Sequence, residues 1–459
     1  MPLRYRGGIC VLIKSKYTVI QDSDIGTLIF NTKNGVQTVI EKTNVEFLSD
    51  LNILRNEKNC SRIKNEIIRK CFCVDSGVNE TNVVIANYYK QMFDPTDLSF
   101  IIMPNNVCNF QCIYCYQEHD KKIISKETID NFLSAIKDYH NTVGIKHFYA
   151  EWFGGEPFMT YDVIVHVTNE LVDFFEENHI SYHFGATTNG SLLNKERINY
   201  LLEHRFDYFQ ITLDGSSEMH NKTRPYVNGQ GSWEKICENL TLLNNKKNID
   251  FRVAVRVNYN NETFSGINEL FKFMQTKLDN RFSVFFHTIG KWGGKNDNLF
   301  EVIDPALEPY TTLMLMDQAI EYRIEPKTNY DFYNPFRKMC YASLPYHFTL
   351  GSDGKLRKCN EEDEKIDKFN VVGTVKNGRI EIDLEKWSSF VLPGGKPTLP
   401  KRCVECLYLP ICFGQNCPKS RIMNKKNTCP HDLAVMPDVL INKYKFRKKI
   451  REHLMGGDI

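Results

Sequence analysis

The sequence predicts an α/β fold: an open, partial (β/α)6 barrel between a small N-terminal α+β domain and a cysteine-rich C-terminal domain. Two observations carry that reading. From Leu98 to about Gly290, β-rich runs alternate with amphipathic helical patterns, the rhythm of a parallel sheet with right-handed crossovers. Ten of the 15 cysteines fall into two groups, one directly after the first of those runs and one in the last third of the chain.

Composition narrows the classes. At 42% hydrophobic and 25% charged residues, the 459-residue chain is that of an ordinary globular protein. A formal net charge of +2 with scattered Lys and Arg predicts no nucleic-acid partner. No run of about 18 apolar residues is present, so no membrane span is expected. The start, MPLRYRGGICVLIKSKYTV, is broken by Lys14 and lacks a small-residue cleavage site, which reads as a strand and not a signal peptide. A cytoplasmic location follows as the expectation. In a reducing compartment, grouped cysteines in odd number point to metal ligands or reactive thiols more than to disulfides.

The first domain is placed at 1–95. Short β-rich runs (ICVLI, YTVIQ, TLIFN, QTVIE) separated by turn residues predict a small antiparallel sheet. Val45, Phe47, Leu48 and Leu51, then Ile63, Ile67 and Ile68, have helical spacing over 44–54 and 60–72. A polar piece, DSGVNETN, precedes a further short helix. The second domain, 96–325, has strands at 98–103, 147–153, 182–187, 207–213, 251–257 and 281–288, with helices such as KETIDNFLSAIKDYH between them. In a barrel of this kind the chemistry belongs at the C-terminal strand ends. The third domain, 326–459, is irregular and ends in a basic amphipathic helix, KYKFRKKIREHL, read as a solvated face.

Cys108, Cys112 and Cys115 lie in PNNVCNFQCIYCYQ, a loop by its Pro and Asn content, immediately after the first barrel strand. Three thiolates at spacings of four and three can wrap one corner of an iron–sulfur cube and leave its fourth iron open. A zinc or structural site is the competing reading, although zinc usually recruits a fourth Cys or His.

C-x3-C-x2-C with Tyr114 before the last cysteine resembles the radical S-adenosylmethionine (SAM) superfamily, and further segments match in order. WFGGEP ends the second strand and resembles the segment that receives the SAM amino group, which implies cofactor-binding roles for Gly154, Gly155 and Glu156. TTNG ends the third strand, and the resemblance places Thr188 and Asn189 near the SAM ribose. QITLDG ends the fourth strand with Asp214, which the resemblance also counts among the cofactor-binding residues, although the family often keeps this acidic residue for shape. In HNKTR, Arg224 resembles the partner of the SAM carboxylate, a task suited to a guanidinium fork. RVN, 256–258, ends the fifth strand. The implied fold is the TIM-like partial barrel of that superfamily, and the implied chemistry is reductive SAM cleavage to a 5′-deoxyadenosyl radical that abstracts hydrogen from substrate.

The C-terminal cysteines resemble the SPASM extension, a module of radical SAM enzymes that modify peptides and proteins. The resemblance implies two auxiliary [4Fe–4S] clusters, three clusters in all with the SAM-binding one. Cys403, Cys406, Cys412 and Cys429 would fill one, and Cys340, Cys359 and Cys417 would hold the other, which leaves an eighth ligand unassigned. Four residues separate Cys412 from Cys417 where that pattern usually has three. A zinc ribbon is the competing reading of C-x2-C-x5-C, and electron relay or structural staple compete with direct substrate binding. Cys10, Cys60, Cys71, Cys73 and Cys237 are read as buried small hydrophobes, with Cys71 and Cys73 at a helix end. His287, near the sixth strand end, is read as structural in preference to catalytic.

The resemblance implies a maturase that installs a thioether or carbon–carbon crosslink in a ribosomally synthesised peptide. Its implied partners are a precursor peptide with a leader, received by a winged-helix-like N-terminal domain, and an external electron donor such as flavodoxin or ferredoxin. An anaerobic sulfatase-type formylglycine maturase is the alternative enzyme. An iron–sulfur electron carrier or peptide-binding scaffold is the alternative from another class.

Overall fold

The computed structural model describes residues 12–40, 70, 72–291, 296–328, 340–361, 364–392, 398–415, 417–424 and 429–455. The helices expected at 44–54 and over most of 60–72, and Cys10, Cys60 and Cys71, lie outside the described residues.

An eleven-stranded, mostly parallel sheet organises the chain. All six barrel strands form close to where periodicity puts them: β6 (Asp97–Ile102), β7 (His147–Trp152), β8 (Ser181–Thr188), β9 (Phe206–Thr212), β10 (Arg252–Tyr259) and β11 (Phe282–Thr288), each parallel to its neighbours. β10, RVAVRVNY, is buried over most of its length, as expected of a parallel strand covered on both sides. The helix Lys126–Val143 shows how a crossover is specified. Ser125 Oγ accepts from Thr128 N at 3.1 Å at its start, and Gly144 ends it at φ 79°. Ile129, Phe132, Leu133 and Ile136, spaced i, i+3, i+4, i+7, are its buried face.

The sheet does not stop at the boundary drawn near 326. β12 (Glu325–Lys327) extends it beside β11, and at the other edge β13 (His347–Leu350) pairs parallel to β6, His347 opposite Ser99. β14 (Lys355–Arg357), β15 (Val371–Lys376) and β16 (Arg379–Ile382) continue antiparallel. Two C-terminal cysteines, Cys340 and Cys359, therefore flank strands hydrogen-bonded, directly or through a neighbour, to the strand that launches the first cysteine loop. Periodicity could not reveal this, because strands of three or four residues carry too little pattern.

The N-terminal part contains the expected antiparallel sheet, β2 (Thr18–Ser23), β3 (Gly26–Asn31) and β4 (Gln37–Ile40), with β3 central. β1 (Leu12–Lys14) pairs with β5 (Cys73–Asp75), so Cys73 opens a strand and does not close a helix; it packs with Ile29 and Phe72. The helix Glu80–Met92 docks on the C-terminal cysteine segment. Tyr88 stacks on Phe413 with ring centroids 3.5 Å apart and planes 7° from parallel, and Tyr17, Val84 and Leu409 complete the cluster. Thr32 Oγ1 donates to Leu407 O at 2.6 Å and Lys16 Nζ to Val404 O at 2.6 Å.

The last helix, Met436–Met455, is not simply a solvated face. Leu440 and Ile441 are buried, Lys449 pairs with Glu321 at 2.8 Å, and Lys445 pairs with Asp24 at 3.0 Å. Its basic residues tie the barrel and the N-terminal sheet together. No helix among the described residues is long and apolar enough to cross a membrane.

Candidate active site

At the C-terminal ends of the barrel strands lies a cavity of about 540 Å³. Cys108, Cys112 and Cys115 line it together with Gly154, Gly155, Thr188, Asn189 and Arg224. Of the residues assigned to cofactor binding from the sequence, Glu156 and Asp214 are not on its wall; both are fully buried behind it.

The two hidden carboxylates hold the wall in place. Glu156 accepts from Thr188 Oγ1 at 2.7 Å, Asn189 N at 2.8 Å and Phe158 N at 3.1 Å, which pins the end of β8 to the end of β7. Burial raises its pKa and these donors oppose the rise. Asp214 accepts from the Tyr114 hydroxyl and, at 2.9 Å, from Asn258 N. Tyr114 is thereby a hub, also receiving Arg224 Nη1 at 2.9 Å and Asn258 Nδ2 at 3.0 Å. The aromatic residue of the cysteine motif thus joins the first, fourth and fifth strand ends. His220 completes the support: its Nδ1 accepts from Asp214 N at 3.0 Å, so Nε2 carries the proton toward Ser232 Oγ at 2.9 Å.

The glycines serve the cysteine loop first. A Cβ on Gly154 would lie 2.4 Å from Asn105 O, and one on Gly155 2.3 Å from Val107 O. The loop backbone passes directly over them, with Glu156 N donating to Val107 O at 2.7 Å. The loop's asparagines add side-chain ties, Asn105 to Thr160 at 2.7 Å and Asn109 to Asn189 at 2.8 Å.

Burial, with the charge of Glu156 adding to it, pushes the Cys108 thiol up to about 12, and burial raises Cys112 to about 11. Cys115 goes the other way. Burial would raise it, but His119, with Nε2 3.5 Å from its sulfur, outweighs that and lowers it. His119 is a cavity residue that the sequence reading missed, as are Glu151 and Tyr208; Arg256, in the RVN segment noted there, was given no role. Strand periodicity was the available signal for Glu151 and Arg256, each near a strand's C-terminal end. His287 also lines the cavity, with Nδ1 2.8 Å from Thr288 O; burial and then Arg256 push its pKa down to about 3, so it stays neutral.

The C-terminal cysteines gather into two sets. Cys340 feels the charges of Cys359 and Cys417, while Cys412 feels those of Cys403 and Cys429, and Cys403 those of Cys429 and Cys406. Chain neighbours of Cys340 and Cys359 reach the same cavity, whose wall includes Tyr341, Asn360 and Glu361; the Tyr341 hydroxyl is 3.8 Å from Cys359 Sγ.

These residues fit the groups that the family resemblance implies. Among the described residues no three His, Cys, Asp or Glu side chains could hold a single metal ion. An iron–sulfur cube takes one thiolate at each corner iron, so it needs ligands set wider apart than a single ion does. Backbone N–H groups point at Cys108, Cys406 and Cys417 sulfurs, each at 3.4 Å, the donors that such clusters use. Arg224 is 7% exposed, and its Nε is buried without a partner, the mark of a missing anionic group beside the cysteine triple.

This combination of a parallel partial barrel and a three-cysteine loop at its mouth defines a radical SAM fold. The family model for the Radical SAM superfamily matches residues 102–274, and the chain contains a radical SAM domain. A cysteine-type anaerobic sulfatase-maturating enzyme of Clostridium novyi is 28% identical over 197 residues, 41% of this chain and 50% of that protein. The chain thus spans about half the length of that relative. Among solved structures, native anSMEcpe with bound AdoMet and Cp18Cys peptide matches with a TM-score of 0.54 at 15% identity, covering 78% of this chain and 99% of that one. Streptococcus suis SuiB bound to precursor peptide SuiA matches with a TM-score of 0.50 at 16% identity, covering 91% of this chain and 98% of that one. These likenesses are of fold.

Proposed function

We propose that the protein is a peptide maturase that forms a thioether or carbon–carbon crosslink within a ribosomally synthesised precursor. The observation that carries the reading is the shared cavity, which has the cysteine triple and Arg224 on one side and the surroundings of Cys340 and Cys359 on the other. A substrate segment there would meet both the SAM site and an auxiliary cluster. The N-terminal sheet and helix, seated on the C-terminal cysteine segment, add support: such a module could receive a leader by strand addition. The fold likeness to SuiB, longer than that to anSMEcpe, agrees with this.

Cys108, Cys112 and Cys115 would hold the SAM-binding cluster. Cys403, Cys406, Cys412 and Cys429 would hold one auxiliary cluster, and Cys340, Cys359 and Cys417 the other. SAM at its cluster supplies, on one-electron reduction, a 5′-deoxyadenosyl radical able to take hydrogen from an unactivated carbon. Arg224, whose Nε is buried without a partner, would meet the carboxylate of SAM, and Thr188 and Asn189, held by Glu156, would face its ribose. The glycines keep the loop backbone low over β7. The remaining wall would orient the peptide. Crosslinking removes two hydrogens from the peptide: one as an atom, the other as a proton and an electron. A flavodoxin or ferredoxin would supply the priming electron.

A sulfatase-type formylglycine maturase is the second reading, favoured by the Clostridium novyi relative. The deciding experiment is anaerobic reconstitution and incubation with dithionite, SAM and candidate precursor peptides, chosen as any short Cys- or aromatic-rich reading frames found beside the gene. Release of 5′-deoxyadenosine with a product two hydrogens lighter, silent to hydrazide and resistant to fragmentation between two residues, would establish the crosslink. A hydrazide-reactive aldehyde would establish the second reading instead. No deoxyadenosine even with peptide would leave the carrier or scaffold, and reductive SAM cleavage by Cys115→Ala would remove the triple from the chemistry.

A further inference from the structure

Among the described residues the cavity wall carries two arginines and two carboxylates, and they do not neutralise one another. Glu361 is paired with Lys419, which is not on the wall. Glu151 accepts from the Thr187 hydroxyl and, at 3.5 Å, from the Tyr149 hydroxyl. Arg224 donates from Nη1 to the Tyr114 hydroxyl. Arg256 makes one hydrogen bond, from Nε to Asn258 Oδ1 at 2.9 Å, so its Nη1 and Nη2 have no partner among the described residues. Among those residues neither arginine has a carboxylate within ion-pair distance.

Strand alternation fixes where Arg256 points. Val255 and Val257 belong to the hydrophobic core, so Arg256 and Asn258 face the other way and line the cavity. Asn258 Nδ2 reaches the Tyr114 hydroxyl, which Arg224 also meets. Arg256 lies two residues earlier on β10, roughly 7 Å deeper in the barrel. SAM carries a single carboxylate, and Arg224 is the residue placed to meet it. Its remaining charges, an ammonium and a sulfonium, repel a guanidinium. Burial lowers the pKa of Arg256, and the charge of Arg224 adds to that. A half-buried cation with no acid is costly unless an anion comes to occupy the space before it.

We infer that Arg256 determines substrate specificity: its free fork holds a carboxylate of the peptide, from an Asp or Glu side chain or from the chain end. The substrate class is an acidic segment, seated with its acid deeper in the barrel than the SAM site. A carboxylate anchored there fixes which carbon of the segment stands before the radical, since a misplacement of roughly 1 Å costs on the order of 100-fold in rate. The inference rests on the reading of the protein as a peptide maturase whose substrate enters this cavity. A missing preference for acid defeats the inference alone, whereas an aldehyde product defeats the crosslink reading alone.

The test is anaerobic calorimetric titration of the reconstituted, SAM-loaded full chain with short peptides: acetyl-Ala-Asp-Ala-amide, acetyl-Ala-Asn-Ala-amide, and acetyl-Ala-Ala-Ala with a free carboxyl end. The Asp peptide is expected to bind about 10- to 100-fold tighter than the Asn peptide, the effect of one charge-assisted contact. A similar gain for the free carboxyl end assigns the site to either source of acid; a gain confined to the Asp peptide assigns it to the side chain. Arg256→Gln should abolish the difference between the Asp and Asn peptides. Equal binding of those two to the wild type, or a preference that survives Arg256→Gln, would overturn the inference. Should Arg256→Gln fail to load iron, Arg256→Lys decides, because it keeps the charge and loses the fork. A diminished preference there supports the inference, and an undiminished one overturns it. Equilibrium dialysis of SAM without peptide closes the remaining alternative. A fall in SAM affinity with Arg256→Gln as large as that with Arg224→Met would give the guanidinium to SAM and overturn the inference.

Discussion

The two cysteine regions are braced in opposite ways. The loop of Cys108, Cys112 and Cys115 is held by its immediate strand-end neighbours: glycines beneath it, Glu156 and Asp214 behind it, Tyr114 joining three strand ends. The segment from Cys340 to Cys429 is held by residues remote in sequence. Tyr88 and Thr32 come from the N-terminal module, and β13 is borrowed by the barrel sheet. The first arrangement concentrates its constraints in short motifs; the second spreads them over the chain. The first should therefore fail sharply at single positions, and the second by degrees.

The largest effect on activity is expected at Gly155. An alanine Cβ would meet Val107 O at 2.3 Å and Asn106 O at 2.7 Å, both main-chain atoms that cannot turn aside. A shift of the loop of roughly 1 Å costs on the order of 100-fold in rate. Gly155→Ala should lose deoxyadenosine formation by about that factor, with iron loss confined to the SAM-binding cluster. Retained activity would mean that this loop is as tolerant as the C-terminal segment.

Arg224→Met comes next. Removing the guanidinium takes away a charged donor worth about 1.5–3 kcal/mol, so SAM binding measured by equilibrium dialysis should weaken about 10- to 100-fold. Tyr114 also loses a donor at 2.9 Å. The two causes separate in Tyr114→Phe, which keeps the arginine; unchanged SAM affinity there assigns the loss to Arg224 itself.

The same contrast explains what the sequence disclosed. Six barrel strands were legible because each is six to eight residues long and followed by a helix with its own period, such as Ile129, Phe132, Leu133 and Ile136. The cavity residues Gly154, Gly155, Thr188, Asn189 and Arg224 were legible because motif and strand end coincide. Glu156 and Asp214 were assigned to the cofactor because a carboxylate in a motif gives no sign of which way it faces; here both lie buried behind the cavity wall and accept from protein donors. β13 and β14 were missed, four and three residues with almost no alternation to read. Nor could local pattern place Tyr88 on Phe413, a contact set by the tertiary fold alone.

Tyr88→Ala tests the dispersed bracing. Deleting a fully buried ring stacked at 3.5 Å should cost about 3–5 kcal/mol of stability, near the range for large aromatic truncations. Its neighbours Leu409 and Phe413 flank Cys412, so iron loss on chelator challenge should begin at the cluster proposed on Cys403, Cys406, Cys412 and Cys429 and leave that of the cysteine triple loaded. Simultaneous loss from both would mean that the N-terminal module braces the whole chain and not one segment.

The smallest effect concerns the hairpin that leads to Cys359. Arg357, 4% exposed on its side chain, grips Asp353 at 2.9 and 3.0 Å and Asp367 at 2.8 and 2.9 Å. Partial burial would raise the Asp353 carboxyl, but the hydrogen bonds and charge of Arg357 win and draw it down to about 2. A depressed carboxylate stabilises the fold above its unfolded pKa and loses that contribution as pH falls through the folded value. After discounting for its partial exposure, Asp353→Asn should cost about 1–2 kcal/mol. Between pH 8 and 5 that penalty should stay constant, because both pKa values lie below the window. A penalty in urea unfolding that varied across that range would show that a second titrating group shares the bridge. A penalty near zero would show that the other partners of Arg357, Asp367 among them, suffice to hold it, and that the bracing ahead of Cys359 is redundant.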